Sequence, residues 1–168
     1  MLGTPQLTAK KAMKFTEKTI AGIQIIGSIA LALSCAVELY RTPQAHNALS
    51  IALYIIFFVY SAAALYFGIA LWQAKSSARR PSAIVWAFQI PFVISNPISY
   101  GIVTGLGFLL KINSTSQTTA VSFDFALVER HMFYIFGQTG IFAIGINIFA
   151  IVFVYRLWVR DSHEEKPA

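Results

Sequence analysis

Glu38, His46, Asp124, Glu129 and His131 are the residues of this 168-residue chain best suited to hold a metal or move a proton, since carboxylates and imidazoles supply that chemistry. Their spacing supports neither role. Glu129, Arg130 and His131 are consecutive, so a helix would send them in different directions, and no HxxxH, HExxH or CxxC pattern occurs. The group reads as an interfacial charge cluster, and His163 as a solvated residue of the polar tail. No metal, cofactor or catalytic set is expected. Cys35 is the single cysteine, which rules out an internal disulfide or thiol relay and with it a quinone-linked thiol oxidase.

A second set consists of uncharged polar residues embedded in apolar sequence: Gln24, Gln89, Asn96, Tyr100, Gln138 and Asn147, with Pro97 among them. Amides in apolar surroundings either hydrogen-bond one another, contributing about 0.6 to 2 kcal/mol per pair, or line a polar pocket for a small molecule or lipid headgroup. Asn96 and Asn147 fall at similar depth on oppositely directed segments, and Gln24 and Gln89 both fall near one end. Pro91 and Pro97 each remove a backbone donor and would kink or break a helix, leaving free carbonyls beside Ser95, Asn96, Ser99 and Tyr100. A third set is glycine: Gly101 and Gly105 in a GxxxG spacing, and Gly137, Gly140 and Gly145 further on. Such faces pack helices closely, within one chain or against a partner.

The elements that must position these residues are dictated by hydropathy. With 57% hydrophobic and 12% charged residues, the chain is more apolar than a soluble domain. Four apolar runs, Ile20–Tyr40, Leu49–Trp72, Ile84–Leu110 and Met132–Trp158, each reach the roughly 20 residues that a helix needs to cross about 30 Å of hydrocarbon. The expectation is an all-α integral membrane protein: a four-transmembrane-helix up-down bundle over residues 20–159, with spans at 20–40, 49–73, 83–110 and 132–158. Its third helix is kinked or broken at Pro91/Pro97. A basic amino-terminal segment, 1–19, can lie on the interface as an amphipathic helix, and 160–168 form a charged tail.

The thirteen basic residues divide ten to three across such a bundle, which puts both termini and the Ala74–Ser82 loop in the cytoplasm of a plasma or bacterial inner membrane. The charge of +6 is thus a topology signal, and no nucleic-acid partner is expected. The long outer connection, 111–131, carries the Asn113-Ser114-Thr115 glycosylation pattern. Beyond it Val121, Phe123, Phe125 and Leu127 alternate with Ser122, Asp124 and Ala126, which fits a short strand, although Asp124 and Glu129 favour the start of a helix. No charged residue lies deep in a span, which argues against a carboxylate-based antiporter.

Small-residue faces, an exposed outer segment and no catalytic set together point to a non-enzymatic module that binds a membrane-protein partner or a second copy of itself within the lipid: an accessory subunit, an assembly factor or an immunity-type protein. The alternative is a small-molecule or lipid binder with a polar cavity between the third and fourth helices.

Overall fold

The computed structural model describes residues 5–41, 48–95, 98–135 and 142–164, with side chains for 16–40, 48, 51–95, 99–127 and 142–159. Two long helices open the chain, α1 (Pro5–Arg41) and α2 (Ala48–Trp72), followed by a short 3₁₀ turn and α3 (Arg79–Ala87). Strands β1 (Pro91–Ile94), β2 (Ile98–Ser114), β3 (Thr119–Ile135) and β4 (Phe142–Asn147) come next, and α4 (Ile148–Glu164) ends the described chain.

This corrects the expected four-helix bundle. Among the described residues only two helices, at Thr16–Tyr40 and Ile51–Trp72, are long and apolar enough to cross a membrane; the apolar part of α4, Ile148–Val159, is too short. The third apolar run divides into the end of α3, β1 and β2, and the fourth into the end of β3, β4 and α4. Proline and glycine explain the difference. A helix continuing through Pro91 would lose a donor and press the proline ring on the Ala87 carbonyl; instead α3 stops at Ala87, whose carbonyl accepts from Ile90 N at 3.1 Å. Downstream, Gly101, Gly105 and Gly107 each cost a helix about 1 kcal/mol, while Ile102, Val103 and Thr104 between them suit a strand. Likewise the expected outer loop 111–131 is most of a hairpin, with β2 and β3 paired from Ile98↔Ile135 to Ser114↔Thr119. Its turn is closed by Thr115 N to Thr118 O at 2.8 Å, and Thr115 Oγ1 accepts from Thr118 N at 3.1 Å.

The strands form an antiparallel sheet in the order β1-β4-β2-β3, and β1 also pairs with β2. One edge of β2 therefore carries β3 along its whole length, while the other carries β1 at Ser99–Gly101 and β4 at Leu109–Ser114. Because β1 and β4 pair with each other, from Pro91↔Ile146 to Ile94↔Ala143, the three strands close a ring of ladders. Phe92, Val103, Leu109, Ala126 and Ala143 fill its core. Gly101 admits the Phe92 ring, since a Cβ there would lie 2.5 Å from Phe92 Cδ2.

Closing that ring requires β2 to turn a corner between its two ladders, and the corner is Gly105, with φ +88°. Helix α1 crosses directly over it. A Cβ on Gly27 would collide with Gly105 N and the Thr104 carbonyl carbon, and one on Gly105 would lie 2.6 Å from Ile23 O. Elsewhere α1 packs on α2 through small and polar residues. Gln24 Nε2 donates to Ala64 O at 2.8 Å, Ser28 Oγ to Gln24 O at 2.6 Å, and Ser61 Oγ to Ser28 O. Around the base of this helical hairpin, Ile20, Ala21, Leu71, Ala83, Trp86, Ala150 and Leu157 join α1, α2, α3 and α4 in one apolar cluster.

Candidate functional site

Three features of this fold stand out: the corner of β2, the base of the α1–α2 hairpin, and the outer face of the sheet beside the edge of β3 that has no ladder among the described residues.

At the corner, residues 102–108 of β2 have no strand on the side opposite β3, so their backbone donors need other acceptors. Two of the amides singled out by sequence supply them. Gln89 Oε1 accepts from Thr104 N at 2.8 Å, and Asn147 Oδ1 accepts from Phe108 N at 3.2 Å. Asn147 also caps α4, taking Ala150 N at 3.4 Å in the N-cap manner, while its own backbone N donates to Ile90 O at 2.9 Å. Gln24 is buried one helical turn from the Gly27 crossing, its Nε2 donating to Ala64 O while its Oε1 has no hydrogen-bond partner among the described residues. Tyr100 donates its hydroxyl to Phe88 O at 2.6 Å.

Gln24, Gln89, Tyr100 and Asn147 thus act as backbone-satisfying groups around one corner. The structure does not place them in the expected pocket between a third and a fourth helix, because those helices are strands over most of that stretch. Asn96, Pro97 and Gln138 lie outside the described residues, as do Gly137 and Gly140. Gly101, Gly105 and Gly145 sit in strands and meet Phe92, Ile23, and Leu110 O with Lys111, all within the chain. The described partners of the Asn147 side chain are Phe108 N and Ala150 N, and the inferred Asn96–Asn147 pair lies outside the described residues.

At the base of the hairpin lies a pair that reading the sequence missed. Arg79 Nε donates to Glu17 Oε1 at 2.9 Å, both side chains being buried to less than a tenth exposure, and Lys18 Nζ lies 5.8 Å from the centre of the Trp72 ring. Sixty-two residues separate Glu17 from Arg79, and no local pattern signals such a contact.

Of the acidic and histidine set, Asp124 pairs with Lys111 at 3.1 Å and Glu38 is on α1, while Glu129 and His131 are positions of β3 whose side chains, like the whole of His46, lie outside the described residues. Among the described residues no group of three or more His, Cys, Asp or Glu is placed to hold a metal.

The outer face of the sheet is apolar and exposed. Cross-strand partners share a face, so Leu106, Phe108, Leu110 and Ile112 of β2 stand beside Leu127, Phe125, Phe123 and Val121 of β3, and beside Phe142, Ile144 and Ile146 of β4. Val121, Phe123, Phe125 and Leu127 are 54–67% exposed, far from the isolated apolar residue that any surface tolerates. Phe108 stacks on Phe123 at 5.8 Å, and Phe149 of α4 borders the row. A groove of about 340 Å³, lined by Leu110, Ile112, Val121, Ile144, Gly145 and Ile146, runs between β3 and β4. Beside this face, β3 pairs only with β2 among the described residues, leaving one edge of a 17-residue strand without a ladder. The alternation of residues 121–127 was the available signal.

Comparison with protein-family models, with curated proteins and with solved structures finds no match to this chain.

Proposed function

We propose that this chain is a membrane-held, non-catalytic module that binds another polypeptide along the free edge of β3. The observation that carries the reading is that 17-residue edge beside a continuous apolar face. The α1–α2 hairpin is the membrane anchor: its two candidate spans are antiparallel neighbours, and their lipid-compatible surface includes Ile26, Ile29, Leu33, Ile55, Ile56 and Val59. Lys10, Lys11, Lys14, Lys18, Lys75, Arg79 and Arg80 flank the open end of the hairpin, whereas Arg41 alone flanks the other, so the open end is cytoplasmic. The corner of β2 packs on Gly27, midway along the first span, which brings the sheet to membrane depth. Lipid offers no hydrogen bonds, so a strand edge at that depth requires a polypeptide to cover it.

A photo-reactive side chain at Leu127, compared with one at Ile56 on α2, tests this in native membranes. The expected result is polypeptide adducts from position 127 and lipid adducts from position 56. Lipid adducts alone from both positions would overturn the reading.

The groove beside Ile112 and Ile144 favours a second reading, a binder of acyl chains, since its lining is entirely apolar. Native mass spectrometry of the purified protein tests it: a retained lipid lost on Ile144→Arg substitution supports this reading, and a lipid-free protein removes it.

A further inference from the structure

Resting on the reading of α1 and α2 as the membrane anchor, we infer that the open end of this hairpin is a binding site for the phosphate of an anionic phospholipid, held by Lys18 and Lys75 beside the Trp72 ring.

The charge of the chain is concentrated at this end. Residues 10–18 and 75–80 contain seven basic residues and one acid, Glu17, a net of +6 that equals the formal charge of the whole chain, so the charges elsewhere cancel. Both stretches adjoin a candidate span: Thr16–Tyr40 begins within the first, and Ile51–Trp72 ends three residues before Lys75. A basic cluster of this kind, directly beyond the cytoplasmic end of a span, attracts anionic headgroups by about fivefold in affinity for each lysine or arginine near the surface.

The fold sorts these cations. Arg79 is buried against Glu17, the one acid of the two stretches, and that pair is neutral as a unit. Lys18 and Lys75 stay on the surface, both exposed.

Trp72 is the fixed point beside them. Its ring lies against α1, where a Cβ on Gly22 would stand 3.3 Å from Cζ3, and the Lys18 ammonium is 5.8 Å from the ring centre, yet the residue is 48% exposed. An indole held half in protein and half out of it belongs at headgroup depth. The ring takes one side of an ammonium that has three donors, and the remaining donors match phosphate oxygens. Past the end of α2, Ala74 adopts a left-handed φ of 60°, while Ala74 N donates to Leu71 O at 2.9 Å and Lys75 N to Ala70 O at 3.0 Å. This turn caps the helix and folds Lys75 back onto its last turn. One lysine from α1 and one from the cap of α2 thus stand next to a single exposed indole. Depth selects the partner: where two apolar spans end, the phosphates of the bilayer are already present.

Reconstitution of the full chain in nanodiscs of phosphatidylcholine and phosphatidylglycerol in equal amounts, followed by native mass spectrometry of the lipids it retains, tests the site. The expected result is a preference for phosphatidylglycerol of about tenfold or more, lowered at least about fivefold by Lys18→Gln with Lys75→Gln. Lys18→Arg with Lys75→Arg keeps the preference, which separates loss of charge from loss of fold, and Lys111→Gln on the sheet leaves it unchanged. No preference in the unaltered chain, its loss in the arginine variant, or an equal loss from Lys111→Gln would overturn the inference. A chain that a carbonate wash strips from native membranes removes the anchor reading and this site together; one that stays embedded but retains both lipids equally removes the site alone.

Discussion

Gly27 and Gly105 meet backbone to backbone, with the helix α1 seated in the bend of β2 and no side chain between them. Alanine at position 27 inserts a methyl group into that contact. The expected loss is about 1–3 kcal/mol for Gly27→Ala, and more for Gly105→Ala, which adds the cost of a positive φ. Thermal unfolding in a mild detergent measures both, and unchanged midpoints would dismantle the proposed packing.

Replacing Gln89 by Leu leaves Thr104 N without its acceptor in a buried place, at a cost of about 1–3 kcal/mol. For Asn147, Asp keeps an acceptor oxygen facing Phe108 N and Ala150 N, whereas Ala loses both bonds. Asn147→Ala is therefore expected to be the more destabilising variant. The reverse order would show that burying a carboxylate at this fully enclosed position costs more than losing both hydrogen bonds.

Glu17 and Arg79 are an ion pair removed from water, and breaking one side strands the other. Arg79→Ala is expected to cost about 3–5 kcal/mol, while Glu17→Leu together with Arg79→Leu costs much less. Chemical denaturation of the single and double variants reads the difference.

A cysteine at Ser77, beside Arg79 and Arg80 at the open end of the hairpin, is expected to react with an impermeant maleimide only after the cytoplasmic face is exposed. Labelling from outside intact cells would reverse the orientation assigned to α1 and α2.

Half of the architecture was legible in hydropathy. The first two apolar runs contain no proline within them and form α1 and α2 as expected. The third and fourth runs had the same length and the same apolar character, yet a run of apolar residues is equally the signature of buried strands, and length alone does not separate one long helix from two strands joined by a turn. The deciding marks are Pro91, which ends α3, and the closely spaced Gly101 and Gly105, whose spacing fits a helix-packing face as well as a bent strand. Gln89 and Asn147 were found by their type, because an amide in apolar sequence must satisfy a buried group. What they satisfy, the donors at a bend in β2, follows only from the tertiary pairing of strands separated by about forty residues.

The ring of β1, β4 and β2 also sets an order on biosynthesis. Strand β1 is made early, but its second neighbour, β4, emerges from the ribosome only after the whole β2–β3 hairpin has been completed. Until Asn147 arrives, Phe108 N has no acceptor and β1 keeps one bare flank, so the helical hairpin and the long β hairpin, both assembled from nearby sequence, form first and wait for closure. A nascent chain halted before Phe142 thus lacks the strand that closes the ring, and closure is complete only once α4 has brought Ala150 and Leu157 into the apolar cluster at the base of the helical hairpin.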